Sequence, residues 1–259
     1  MNSKIRKISS LKLVVSIVLL TTICSPAYLM ASDGAVNLSF KISSKADKIV
    51  IVSREKICTS PWQGEKFSSE IKSKKYVARK SFKTGDNEIT TRFKTTKIKL
   101  SVNGKEVPPI QSLKKTEVKT DKSGNRLLTQ EAEGSFVPDL SLTLPEKAVK
   151  PGDKWTKIIK ATKAYPASLK VEYELLGIKN VKKRKCAIIK VKCLSDELFT
   201  KRYAKVHLLI RNRIYFDIEA GKVIKNSSQS EFVLTWLKPI KGLPMQRATF
   251  STTSMTVEN

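Results

Sequence analysis

The sequence predicts a mainly β protein: a curved antiparallel sheet or incomplete barrel built from meanders, with little helix beyond an N-terminal leader. Three observations carry this expectation. Apolar residues recur with period two along most of the chain, whereas helical spacing is scarce. Tight-turn residues such as Asn103-Gly104, and the run DKSGN at 121–125, interrupt the alternating segments. Four alternating segments in the C-terminal half are joined by short connections, which suits an antiparallel meander and leaves no βαβ rhythm.

The elements follow in order. In AVNLSFKI, Val36, Leu38, Phe40 and Ile42 share one side while Asn37, Ser39 and Lys41 share the other, the pattern of a half-buried strand. ADKIVIVS reads as a second strand. Residues 54–75, which include Cys58, Pro61, Trp62 and Gly64, show no clear period and read as a loop or short helix. KKYVARKSF and EITTRFKTTKIKLSV resume the β pattern. Farther on, Leu169, Val171, Tyr173 and Leu175 alternate with Lys170, Glu172 and Glu174, and a connection spans Gly177 to Arg184. Ala187, Ile189, Val191 and Cys193 then alternate with Ile188, Lys190 and Lys192. The next strand sets Ala204, Val206, Leu208 and Ile210 against Tyr203, Lys205, His207 and Arg211. RIYFDI continues it, EAGK turns it, and VIKNSSQSEFVLTW returns.

The most patterned stretch is LPEKAVKPGDKW, Leu144 to Trp155. Lys150-Pro151-Gly152-Asp153 fits a type II turn, because proline presets φ at the second position and glycine supplies the positive φ needed at the third. Trp155 then begins a strand and anchors the corner in the core. Pro151, Gly152, Asp153 and Trp155 therefore read as structure, since neither a histidine nor a second carboxylate lies close to Asp153 in sequence. Prolines cluster at 138–152, which marks the one seam expected within residues 32–259.

The N-terminus reads as an address. Lys4, Arg6, Lys7 and Lys12 precede the apolar run LVVSIVLLTTIC, and small residues follow at Ser25-Pro26-Ala27 and Ala31-Ser32. That layout predicts a signal peptide over residues 1–31, cleaved after Ala27 or Ala31, with a retained anchor as the alternative. No later segment is apolar enough to span a bilayer, so an exported β-rich protein, periplasmic or extracellular in a bacterium, is expected. Removal of the leader takes four of the 50 basic residues and none of the 23 acidic ones, leaving a formal charge of +23 in place of +27. Such an excess favours anionic partners without choosing among them. Cys58, Cys186 and Cys193 remain, and Cys186 and Cys193 are an odd number of residues apart, so on one continuous strand they point to opposite faces and cannot pair. A bridge from Cys58 to either one with one thiol left free, or three buried thiols, stays open.

No constellation of catalytic residues emerges. His207 is the single histidine and sits beside Lys205 and Arg211, whose charge opposes its protonation. G-x-S-x-G, C-x-x-C, H-E-x-x-H and phosphate-cradling glycine loops are absent, so neither metal nor cofactor is expected. Trp62, Trp236 and the phenylalanines lack the spacing of a nucleic-acid platform, and no specific nucleic acid is expected. The best candidate for a polyanion is KNVKKRKCAIIKVK, where Lys182, Lys183, Arg184 and Lys185 cap a hairpin; Lys190 and Lys192 instead have Glu172 and Glu174 as prospective cross-strand partners.

Three stretches together resemble an uncharacterised family of exported bacterial β-rich proteins. Leu144, Pro145, Lys147, Val149, Lys150, Gly152, Asp153 and Trp155 match its LP-x-K-x-V-K-x-G-D-x-W motif; Tyr173, Leu175 and Gly177 match a following Y-x-L-x-G strand; Phe216, Asp217 and Gly221 match an FD-x-x-x-G hairpin. The resemblance covers residues 136–236 and implies no catalytic residue. Many of its members look like lipoproteins, and this chain departs from them in having Ile23 before Cys24 where a lipobox would need a small residue. A more distant architectural likeness is to periplasmic lipoprotein carriers, whose curved sheet holds acyl chains.

The expectation is therefore a non-enzymatic cell-envelope protein that binds an anionic envelope component through its basic surface. The alternative is a carrier that holds a lipid or other apolar ligand against Leu169, Val171, Ile189, Val191, Val206 and Leu208. A hydrolase of unknown type, with Asp153, His207 or Asp217 gathered in one pocket, is the minor alternative. Oligomeric state is left open.

Overall fold

The structure, a computed structural model, describes residues 34–43, 45–108, 115–125, 142–161, 167–199 and 203–258. Eleven strands and no helix are found there: β1 (Asp47–Ser60), β2 (Phe67–Lys83), β3 (Ile89–Val102), β4 (Lys105–Val107), β5 (Lys115–Thr120), β6 (Lys154–Ile159), β7 (Leu169–Val181), β8 (Arg184–Phe199), β9 (Ala204–Asp217), β10 (Lys222–Trp236) and β11 (Gln246–Glu258). All pairings are antiparallel in a single open sheet of order β4-β3-β2-β1-β11-β10-β9-β8-β7-β6, with β5 paired to β3. The last strand thus inserts between the first strand and the C-terminal meander, and one sheet spans both sides of the expected seam. Among the described residues, no helix is long and apolar enough to cross a membrane.

The core lies against one face of β6 to β10. Alternation puts Leu169, Val171, Tyr173 and Leu175 of β7, Ala187, Ile189, Val191 and Cys193 of β8, and Val206, Leu208, Ile210, Ile214 and Phe216 of β9 in one buried cluster. A sheet face needs a second layer, and here two extended segments supply it. Val36, Leu38 and Phe40 pack down from one, and Leu142, Leu144 and Val149 from the other. The period-two reading of residues 36–40 is correct for burial, but their backbone does not join the main sheet. Val36 and Val149 bridge each other, Phe40 N–H donates to Lys122 O, and Lys41 N–H donates to Gly221 O. Ile42, beyond this strap, is exposed.

Residues 54–75 are neither helix nor, for the most part, loop. β1 runs to Ser60, a short connection at 61–66 follows, and β2 begins at Phe67. Serine, threonine and lysine occupy both faces here, so the strands carry little apolar contrast for a periodicity reading to detect. Cross-strand hydroxyl pairs take the place of apolar ones, as in Ser53 Oγ to Ser73 Oγ at 2.7 Å and Ser230 Oγ to Ser251 Oγ at 2.7 Å.

The corner at 150–153 is the expected type II turn: Asp153 N–H donates to Lys150 O at 3.0 Å and Gly152 has φ +94°. The Asp153 carboxylate accepts the Lys150 N–H at 2.7 Å, which explains the acid at this position. Trp155 stacks on Tyr173 with centroids 5.5 Å apart and donates its indole N–H to Thr143 O. Asn103 and Gly104 both have positive φ and close the β3–β4 hairpin as a two-residue loop. At Asp121–Asn125 the carboxylate of Asp121 accepts the backbone N–H groups of Ser123 and Asn125, closing a compact turn.

The connection expected between Gly177 and Arg184 is much shorter in the structure. β7 continues through a bulge at Gly177 as far as Val181, and the loop is Lys182-Lys183 alone. Both lysines have positive φ, 50° and 65°, a conformation that Asn-Gly adopts at far lower cost. A Lys182→Asn/Lys183→Gly variant is expected to gain about 1–2 kcal/mol in denaturant unfolding.

One corner of the sheet curls strongly. Arg79 on β2 donates to Val223 O on β10, three strands away in sheet order, a reach that a flat sheet of ~4.8 Å strand spacing would not allow. Arg79 and Lys222 also grip Asp47, at 2.8 and 2.6 Å, and beside them Ile49, Val77, Cys186, Ile224 and Val257 form a second core cluster. Burial pushes the Asp47 carboxyl up, but the Lys222 and Arg79 bonds outweigh it and hold the acid below its ordinary value of 3.8. A depressed carboxyl stabilises the fold above its unfolded-state pKa, and that contribution is lost as pH falls through the folded value. Stability is therefore expected to drop below about pH 4, and Asp47→Asn should flatten that limb of a pH–stability curve.

Candidate anion-binding face

The hairpin tip presents Lys182, Lys183 and Lys185 to solvent, whereas Arg184 is half-buried and lies 3.8 Å from the buried carboxylate of Asp217. The tip thus offers three lysines in an open turn and no walls around them.

A denser cationic arrangement lies on the sheet face opposite the core. Register places Lys190 between Glu174 of β7 and Arg213 of β9, and Lys192 between Glu172 and Arg211. The neutralised ladder expected from sequence is present on the β7 side, where Lys190 Nζ meets Glu174 at 3.2 Å. Glu172 is held instead by Lys170 at 3.1 Å, whose hydrogen bond and charge keep its carboxyl below the ordinary range. On the β9 side the charges repeat rather than cancel: Lys190 faces Arg213 and Lys192 faces Arg211. Among the described residues, no carboxylate lies within 4.0 Å of Arg211, Arg213 or Lys192, although the Lys192 charge also helps to lower the Glu172 carboxyl opposite it. Like charges directly opposite each other on neighbouring strands destabilise a sheet.

The row containing Arg211 continues through Gln229 on β10, Thr252 on β11 and Arg54 on β1 to Lys72 on β2. Six strands at ~4.8 Å make a row about 24 Å long. The adjacent row holds Leu209, Glu231, Phe250, Lys56 and Glu70. A groove of about 400 Å³ follows the two rows; Arg54, Lys56, Arg211 and Gln229 are its donors, Leu209 and Phe250 its apolar lining, and the carboxylates of Glu70 and Glu231 line it as well. Lys72 and Arg54 both bind Glu70 and hold its carboxyl below the ordinary range. At its β9 end the groove sets Arg211 against Glu231 of the neighbouring strand, and on the β1–β2 side Glu70 matches Arg54 and Lys72.

The remaining candidates lie elsewhere. His207 Nδ1 pairs with Asp196 across β8 and β9 at 2.6 Å on the exposed face. Asp217 stands at the other end of β9 and accepts the Ala220 N–H at 2.9 Å, capping the hairpin turn. Ten residues of strand, about 33 Å, separate it from His207. Asp153 is engaged by its own turn, so the three are not gathered in one pocket. Leu169, Val171, Ile189, Val191, Val206 and Leu208 are all buried to within 2 % exposure under the strap and the 142–149 segment. None of the three cysteines in the described region is bridged. Burial pushes Cys193 up to about 11, and burial followed by the Asp217 charge raises Cys186, so both thiols are poor nucleophiles at neutral pH. No group of three or more metal-ligating side chains occurs among the described residues.

Arg54, Lys56 and Lys72 escaped the sequence reading because they sit in the stretch without apolar period. The pairing of β11 with both β1 and β10, which aligns them with Arg211, joins segments nearly 200 residues apart. No protein-family model matches the chain, and no curated protein is similar to it at a significant level.

Proposed function

We propose that this protein is a non-catalytic, exported binder of an extended anionic polymer, which lies across the strands on the face bearing Arg211, Arg213, Lys190 and Lys192. The observation that carries this reading is the cationic excess across β8 and β9: four exposed cations stand in two directly opposed pairs, with the Glu174 partner of Lys190 as the one ion pair among them, an arrangement that costs folding stability and that a bound polyanion would relieve. Two of the four are arginines, whose planar fork suits phosphate, sulfate or carboxylate groups. The groove beside them supplies Gln229 and Arg54 along the same line, so successive anionic groups meet successive donors. The separate engagement of Asp153, His207 and Asp217 favours binding over hydrolysis.

Titration with long-chain polyphosphate over a range of salt concentrations tests the proposal. Wild-type affinity is expected to fall with salt, and Arg211→Gln/Arg213→Gln should lower the slope of log affinity against log salt by roughly 2. The same variant, without ligand, is expected to be more stable by up to about 1 kcal/mol per relieved pair. Lys182→Gln/Lys183→Gln tests the hairpin tip and should change binding much less. Unchanged affinity and slope in the arginine variant would remove the quartet from consideration.

A further inference from the structure

We infer that one end of the sheet is a docking surface for an anionic lipid bilayer, a reading independent of the groove. Two connections meet at this end, 61–66 between β1 and β2 and 237–245 between β10 and β11, beside the last residues of β8 and Tyr203 before β9. The register brings them together, since Ser60 pairs with Gln246, Thr59 with Phe67, Trp236 with Ala204 and Phe199 with Ala204. Of the eleven exposed large apolar side chains among the described residues, six gather here: Phe67, Leu198, Tyr203, Leu237, Leu243 and Met245. Their concentration at one edge, where the loops project, sets them apart from scattered surface residues.

The charge at this end selects the partner. Lys66, Lys205, Lys238, Lys241 and Arg247 are all exposed among these apolar groups, against one exposed acid, Glu65, in the 61–66 and 237–245 connections. Lys238 Nζ sits 3.2 Å from the centre of the Tyr203 ring, an aromatic and a cation presented as one unit. Long cationic side chains lying over apolar and aromatic ones match the boundary between acyl chains and anionic headgroups, where apolar atoms go down and ammonium groups stay at the phosphates. A turn aids this: Leu243 N–H donates to Ile240 O and Gly242 has φ +78°, which places Lys241 at the tip with Leu243 closing the turn, while Leu237 N–H donates to Tyr203 O. The cations would repel one another across a symmetric interface between two copies, so a second copy of this chain is the poorer occupant.

The surface is tested by sedimentation of the protein with vesicles of phosphatidylglycerol and phosphatidylcholine, and with vesicles of phosphatidylcholine alone. Wild type is expected to partition onto the anionic vesicles at low salt and far less onto the zwitterionic ones. Phe67→Ser/Leu237→Ser/Leu243→Ser replaces side chains that are already exposed, and should reduce partitioning at least about tenfold while leaving polyphosphate affinity unchanged. Lys238→Gln/Lys241→Gln should weaken the preference for anionic vesicles, and it guards against a folding defect in the first variant. Wild type that ignores anionic vesicles, or a triple serine variant that binds them equally well, would overturn the inference. So would a wild-type dimer in sedimentation velocity that the serine variant dissolves without any vesicle binding.

Discussion

Phe216→Ala is expected to destabilise the protein by about 3–5 kcal/mol in urea unfolding, the largest effect anticipated for a single side chain here. Phe216 has no exposed surface and meets Phe40 edge to face with centroids 5.4 Å apart. It pairs with Ala187 on one side and Val223 on the other, so small and medium neighbours leave its ring as the main filler of that volume. Removing it opens a cavity and takes from the strap its largest contact, which should also expose residues 36–42 to proteolysis. A domain stability of order 5–15 kcal/mol makes this a substantial fraction of the total. Leu194→Ala, on the opposite face and 48 % exposed, serves as the control and should change stability by no more than about 0.5 kcal/mol. A Phe216→Ala cost below about 1.5 kcal/mol would show that the strap is not part of the core.

Gly124→Ala should cost about 3 kcal/mol or more, against about 1–2 kcal/mol for Gly152→Ala. Both glycines have positive φ, 86° and 94°, so an added methyl strains the backbone at either site. They differ in surroundings. A Cβ at Gly152 meets nothing within 4 Å, whereas one at Gly124 collides with Leu142 O and comes within 2.6 Å of the Phe40 ring. Three chain segments converge there: Phe40 N–H donates to Lys122 O, Leu144 N–H donates to Ser123 O, and the loop at 121–125 lies between them. The difference between the two alanine variants, read from unfolding midpoints, isolates this close approach from the conformational cost common to both. Equal costs would mean that the strap and the 142–149 segment yield without resistance.

Much of the fold was legible from local chemistry. The alternation named the buried face from Leu169 to Leu175, Ala187 to Cys193 and Ala204 to Ile210, because period two is the signature of a strand with one dry side. Ile214 and Phe216 farther along β9 join that core as well, and Ile188, read on the polar side, is buried too. Pro151 and Gly152 specified their turn, and Asn103-Gly104 specified its hairpin, because each residue type presets the backbone angles that the turn needs. The bulge at Gly177 and the two-residue Lys182-Lys183 loop were not legible, since lysine carries no preference for positive φ and nothing local marks where β7 stops. The candidate site was read only in part. Lys190 and Lys192 were set against the two glutamates of β7, and the register pairs them as Lys190 with Glu174 and Lys192 with Glu172. Their second neighbours, Arg213 and Arg211, turn a neutralised ladder into an excess of charge.

By itself the sequence determined the all-β class, the buried face of the meander and the corner at 150–153. It also determined the cationic balance, because composition, period two and turn stereochemistry act within a few residues. Only the tertiary structure decided that Val36 to Phe40 lie across the sheet as a strap. It also decided that β11 inserts beside β1, that Arg54 shares a row with Arg211, and that the apolar loops meet at one end. Those choices depend on register and sheet order between distant segments, where many pairings satisfy the same alternation and only the simultaneous closure of the core selects one.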